Sequence, residues 1–166
     1  LAASRQGLMV AASVYETLEE AVMIADAGQH IMLVNPAFVR LTGFDVGEVL
    51  GQSFELIRAH HEPPAFEEQL RRSLHTTGRW QGEILHRRRS GEHYTAWVSM
   101  HLLRDDRGAP MRYISVFRDI TEQRRAEEAI WRQANYDPLT ELPNRQLFLD
   151  RLRHGIRQAQ RRGQVL

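Results

Sequence analysis

From Tyr113 to Arg145 the chain crosses three physical regimes without a break. It begins as an apolar strand-like run, YISVF, and meets the short polar junction Asp119-Ile120-Thr121. It then continues through a charged helical segment to the run YDPLTELPNR. Regimes that need such different surroundings in one continuous stretch describe a connector. An input module should precede it and the start of an output module should come after it.

Size agrees with that division. The 166 residues can bury one core of ordinary domain size and leave a remainder. Hydrophobic residues make up 42% and charged residues 26%, and no apolar run approaches the ~20 residues of a membrane span, so a soluble chain is expected. There is no cysteine, which removes disulfides, thiolate zinc sites and thiol chemistry. That composition suits a reducing cytoplasm, and any membrane anchor of a longer parent protein would lie elsewhere. All 22 basic residues are arginine and the formal net charge is +1, which gives a general nucleic-acid-binding role no support. The arginine-rich run from Arg145 to Arg162, with the single acid Asp150, reads as a solvated helix face.

From residue 7 onward Leu8, Tyr15, Leu18 and Val22 fall at helical steps, so a leading helix is predicted over 1–21. The period then changes. Two apolar runs, VMIA and IMLV, flank Asp26-Ala27-Gly28-Gln29, and Gly28 is expected to take the positive φ of a β-hairpin turn. Asn35-Pro36 opens a short helix, with an amide side chain for orphan N–H groups and a proline whose φ is already set. Gly43 suits its C-terminal cap. A second short helix is expected around Val46 to Leu50, and Phe66, Leu70 and Leu74 mark a third, closed by Thr77-Gly78.

Beyond Gly78 the pattern is that of strands. Trp80 to Arg87 leads through Ser90-Gly91 to a run in which Tyr94, Ala96, Val98, Met100 and Leu102 alternate with period two, and Met111 to Phe117 forms the last strand. The order β-β-α-α-α-β-β-β favours antiparallel hairpin ladders and an α+β class.

NPAFVRLTGF, Gly51, the pair GRWQGEI and RRRSGE, and finally FRDITE together resemble a PAS domain over roughly residues 14 to 121. The resemblance implies a five-stranded antiparallel sheet with helices on one face, an internal cavity, and flanking N-terminal and C-terminal signalling helices. Separately, YDPLTELPNR resembles the opening of a GGDEF domain, the diguanylate cyclase module. The organisation implied is a flanking helix at 1–21, a PAS sensor at 22–120, a linker or coiled-coil helix at 121–135 and the start of a GGDEF domain at 136–166.

For cofactors the residues leave the identity open. Haem-binding PAS domains hold iron through a histidine of the third helix, and that position is Glu67 here, which disfavours haem. Light-sensing relatives need a cysteine that this chain lacks. The run Trp80-Gln81-Gly82-Glu83-Ile84 resembles a subset that includes flavin-binding redox sensors, so FAD stays open, with Trp80 and Phe38 as cavity candidates. Those relatives carry a tryptophan where Arg71 stands. Adjacent His60 and His61 point apart on any regular backbone, so no metal site is expected.

No catalytic constellation is present, and the chain alone is not expected to be an enzyme. By resemblance Asn144 would contact guanine in a diguanylate cyclase, while the acidic partner expected nine residues on is Arg153. The GGDEF motif itself is absent from this chain. The reading that joins these features is a bacterial PAS module of a cyclic dimeric GMP signalling protein, relaying ligand or redox state to a cyclase output. The parent protein would be a diguanylate cyclase, with or without a phosphodiesterase domain. A ligand-free PAS dimerisation module and an FAD redox sensor are the alternatives. Asp119 can cap the connecting helix, Glu122 can reciprocate, and Thr121 completes the junction. On that helix Ala126, Ile130 and Ala134 make a narrow apolar stripe that suits a second helix, so a homodimer is expected.

Overall fold

The computed structural model describes residues 2–59 and 62–162, with side chains described from residue 5 to residue 158 within those spans. It divides into two compact units, Leu1–Thr121 and Glu122–Leu166. In the first, a leading helix α1 (Ala2–Thr17) precedes β1 (Ala21–Asp26) and β2 (Ile31–Val34). Two short helices, α2 (Pro36–Thr42) and α3 (Val46–Val49), then a 3-10 turn at Phe54–Ile57 and α4 (Pro64–Thr77), cross over to β3 (Arg79–Arg87), β4 (His93–Arg104) and β5 (Pro110–Asp119). The second unit contains most of α5 (Thr121–Asn135) and all of α6 (Arg145–Arg162).

All strand pairs are antiparallel, and the sheet order is β2-β1-β5-β4-β3. The last strand therefore lies in the middle, between β1 and β4. Period-two alternation works as expected on β4: Tyr94, Ala96, Val98, Met100 and Leu102 are all buried, while their neighbours are not. The helices cover that buried face, α2 against β1 and α4 against β3 and β4. Phe38 of α2 meets Phe117 of β5 edge to face, with ring centroids 5.9 Å apart.

Local signals place the helix ends. The Oδ1 of Asn35 accepts from the Phe38 N–H at 2.9 Å, with Pro36 at the first helical position. Gly43 takes φ 75° and donates its N–H to the Val39 carbonyl at 2.9 Å. Asn35 does more than cap. Its Oδ1 also accepts from the Val22 N–H at 2.8 Å, and its Nδ2 donates to the carbonyls of Glu20 at 3.0 Å and Tyr15 at 3.3 Å. One buried amide thus joins the end of α1, the start of β1 and the start of α2, with all four of its hydrogen-bonding positions filled.

The hairpin turn corrects one expectation. Gln29, not Gly28, adopts the positive φ, at 67°. The turn is closed by Asp26, whose carboxylate accepts from the His30 N–H at 2.9 Å, and this shifts the left-handed residue one place along. Gly28 is favoured instead by space, since a Cβ there would come within 3.0 Å of the His30 ring. The last strand also runs further than expected: Asp119 pairs with Ala96, so the junction begins inside the sheet. Among the described residues no helix is long and apolar enough to cross a membrane.

Candidate functional site

β3 is an edge strand, and Arg58, Ala59 and Glu62, between the 3-10 turn and α4, cover part of its open side. Arg58 bridges to His86, the Ala59 N–H donates to the Leu85 carbonyl at 3.0 Å, and the Leu85 N–H donates to Glu62 at 3.1 Å. This pairing drives the Arg58 side chain inward, where it is 4% exposed. Its Nη1 donates to Glu67 at 2.9 Å and to Glu55 at 3.3 Å, and its Nη2 donates to Glu67 and, at 3.5 Å, to Glu62. Its Nε is buried without a partner among the described residues.

Next to Arg58, His86 is buried and meets Tyr94 and Phe117 edge to face, at 5.6 and 5.1 Å. Burial, with the Arg58 charge second, pushes its pKa down to about 3. The ring is therefore neutral at ordinary pH. Its Nδ1 lies 3.4 Å from the Tyr94 hydroxyl, whose own pKa burial pushes up.

From Tyr94 the contacts lead to the junction. The Arg88 guanidinium lies over the Tyr94 ring, 4.3 Å from its centroid, and its Nη2 is 2.6 Å from Asp119 Oδ2. Asp119 Oδ1 accepts from the Thr121 N–H at 2.8 Å. Burial pushes the Asp119 carboxyl up, but its hydrogen bonds to Thr121 and the charge of Arg88 outweigh that and hold it below the usual range. Thr121 Oγ1 accepts from the Thr95 N–H at 2.9 Å, and the Ile120 N–H donates to the Thr95 carbonyl at 2.9 Å. Ile120 and Thr121, the residue that opens α5, are thus both tied to Thr95 of β4. Sequence reasoning gave Asp119 a capping role beside Glu122; the cation that neutralises it, Arg88, stands 31 residues earlier.

The two cavity candidates are set apart. Phe38 is a core side chain, and Trp80 packs edge to face on Phe66 at 5.7 Å. Gly82 makes room for that indole, because a Cβ there would come within 2.8 Å of it. Neither lines the interior void, which is bounded by Met23, Ile57, Arg58, His86, Ser115 and Phe117, among others, and measures about 10 Å³. An isoalloxazine ring does not fit a void of that size, since ligand pockets run to roughly 300–1,000 Å³. A larger groove of about 560 Å³ lies on the other side of Arg58, between the 3-10 turn and α4. Glu67, at the position of the haem histidine, is committed to Arg58, and Arg71 pairs with Glu68. His60 and His61 lie outside the described residues. Among the described residues no group of three or more His, Asp or Glu side chains is placed to hold a metal ion.

In the second unit Asn144 caps α6, its Oδ1 accepting from the Leu147 N–H at 3.0 Å, and its Nδ2 donates to the Ala134 carbonyl at 2.7 Å. Both ends of the amide are thus engaged in local structure. Ala126, Ile130 and Ala134 are all exposed on α5, Ile130 to 68%.

Sequence reasoning passed over Arg58, His86, Arg88 and Tyr94 as a group. The signal for two of them was present: Ile84 and His86 share the inward face of β3, and Tyr94 begins the inward series of β4.

The profile of the PAS domain family matches residues 19–122. A nitrogen fixation regulatory protein of Klebsiella oxytoca is 26% identical over 106 residues, 64% of this chain and 21% of that protein. The cyclic di-GMP phosphodiesterase PdeR of Escherichia coli K12 is 28% identical over 154 residues, 92% of this chain and 23% of that protein, a longer stretch than the PAS match. Among solved structures, the PAS domain of a Colwellia psychrerythraea protein superimposes with a TM-score of 0.65 at 17% identity, over 69% of this chain and 98% of that one. The chain thus spans less than a quarter of the length of these two curated relatives.

Proposed function

This chain belongs to the PAS domain family, and on that premise we propose that it is the sensory module of a bacterial cyclic dimeric GMP signalling protein. A change of state in the domain passes through Asp119, Ile120 and Thr121 into α5, which leads to a diguanylate cyclase output beginning near Tyr136. The observation that carries this reading is the junction. The central strand β5 runs straight into α5 through residues anchored to Arg88 and Thr95 of the β3–β4 region. Any shift of β4 against β5 must therefore move the first turn of the helix. The run YDPLTELPNR supports the output assignment, as does the alignment with PdeR that continues beyond the PAS match.

The relay works as a two-state element. With the Arg88–Asp119 pair closed, α5 starts in one fixed pose; with it open, the helix is released from the sheet. Hydrogen exchange tests this. Arg88→Met and Asp119→Ala are expected to speed exchange in the first turn of α5 while protection in β1 and β5 is retained. Unchanged exchange at Thr121 to Arg125 in both variants overturns the relay.

A second reading, a ligand-free dimerisation module, is favoured by the filled interior and by the exposed stripe of Ala126, Ile130 and Ala134. Both readings use the same stripe, since two cyclase domains must meet to join two GTP molecules. They differ in whether a ligand sets the pose.

A further inference from the structure

We propose that the hollow between the last turns of α5 and the turn that leads toward α6 binds a small alkylated ammonium ion, held by the rings of Trp131 and Tyr136 and by the carboxylate of Glu141. The proposal goes beyond the sensory reading and rests on no part of it. The hollow lies wholly within Glu122–Leu166 and uses none of the junction residues.

One wall is aromatic and is set by local structure. Trp131 and Tyr136 meet with ring centroids 5.6 Å apart and planes tilted by 59°, so they form a corner and not a stack. The Tyr136 N–H donates to the Arg132 carbonyl at 2.8 Å, and Tyr136 bridges to Pro143, which fixes where its ring stands against the end of α5. Trp131 is 49% exposed, so the corner is open to a solute. The face of an indole or phenol ring attracts a cation within about 6 Å of its centroid, and one cation seated in the corner meets both rings.

The other wall is acidic. Glu128, Asp137 and Glu141 line the hollow against a single cation, Arg132, which is paired with Glu128 at 3.2 Å. Glu141 makes no ion pair among the described residues. Its N–H donates to the Asp137 carbonyl at 2.9 Å, which puts the two acids on one turn. Asp137 accepts from the Thr140 N–H, the Thr140 hydroxyl and the Leu139 N–H, all through Oδ1, and these bonds hold its carboxyl below the usual range. Asp137 is therefore ionised at neutral pH.

The two walls together select the ligand. An anion would approach three carboxylates. A metal ion needs several converging oxygens at roughly 2–2.6 Å, and among the described residues no such group is placed to hold one. An ammonium whose charge is spread over methyl groups is weakly hydrated, so it moves onto aromatic faces at little desolvation cost and keeps its attraction to Glu141. The volume, about 530 Å³, is that of a small-molecule site. Glu128 and Arg132 stand about 200° round α5 from Ile130, so pairing through the apolar stripe leaves the hollow uncovered.

The test is calorimetric titration of the 166-residue chain with choline chloride and, at matched ionic strength, with the neutral isostere in which a tert-butyl group replaces the trimethylammonium. Choline is expected to bind saturably and the isostere at least tenfold more weakly. Trp131→Leu should weaken choline binding tenfold or more, Trp131→Phe should retain part of it, and Glu141→Gln should weaken it at least threefold. Both positions are exposed, so the variants keep their fold, which circular dichroism checks. Trp97→Leu, on β4 and outside the hollow, should leave affinity unchanged. Absence of saturable choline binding overturns the proposal, as does an isostere that binds equally well or a Trp131→Leu variant with unchanged affinity.

Discussion

The two compact units treat the same residue types in opposite ways. In Leu1–Thr121, Phe38 is wholly buried against Phe117, and Ile31, Ile57 and Ile84 are buried with it. In Glu122–Leu166, Phe148 is 58% exposed, Ile130 68% and Leu139 91%. Both regions are amphipathic by sequence. The difference is a partner: α2 and α4 pack on the inward face of the sheet, whereas α5 buries none of its residues and α6 keeps Phe148, Leu152 and Ile156 exposed at four-residue spacing. An apolar stripe by itself stabilises nothing; only a packed neighbour supplies the stabilisation.

The largest test of that contrast is a matched truncation. Phe38→Ala should lower unfolding free energy by about 4 kcal/mol, the cost of a large aromatic removed from a close-packed core. Phe148→Ala, in α6, should change it by less than about 1 kcal/mol. Urea unfolding of both variants, followed by tryptophan fluorescence and circular dichroism, measures this. Equal losses would erase the distinction between the units.

Next in size is Asn35→Ala. It strands two N–H groups and two carbonyls around a buried amide, and about 3 kcal/mol should be lost. If the variant unfolds at the same urea concentration as the parent, Asn35 is not the joint between α1, β1 and α2.

Acid should act on the first unit ahead of the second. His86 is neutral in the folded chain, with its pKa pushed down to about 3, and takes up a proton readily once unfolded. Because the folded value lies below the unfolded one, its contribution is intact above pH 6.5 and is lost as pH falls toward 3. At pH 5 the loss should be about 2 kcal/mol, and His86→Phe should remove most of that slope. A stability profile between pH 7 and 5 that is the same with and without His86 would contradict its buried, neutral state.

The smallest effect on folding, and the most telling for the exposed stripe, is Ile130→Glu. It should leave unfolding of the first unit unchanged while weakening self-association at least tenfold, since a charge buried in a helix interface lacks a partner. Sedimentation decides it. A parent chain that is monomeric at high micromolar concentration shows that the stripe is not a dimer seam.

Much of the first unit was legible because its signals are local. The period of two from Tyr94 to Leu102 needs only the pleat of a strand, and Asn35-Pro36 and Gly43 need only the geometry of helix ends. Where reasoning on one turn failed, at Gln29, the reason was also local but involved a competing bond, the Asp26 carboxylate to the His30 amide. The candidate site was less legible. Arg88 reads as one of three consecutive arginines and Arg58 as a lone charge in a loop, and nothing in their immediate neighbours marks one as buried and the other as the partner of Asp119.

By itself the sequence determined the five strands and the helices flanking them, their order, and the inward face of β4. Tertiary structure alone decided that β5 returns to the centre of the sheet, that pairing along the β3 edge turns Arg58 inward beside His86, and that Arg88 reaches Asp119 across 31 residues. The physical reason is range. Periodicity and capping act over a few residues and are written in adjacent letters, while strand order and the partner of a buried charge depend on which distant segments exclude water together.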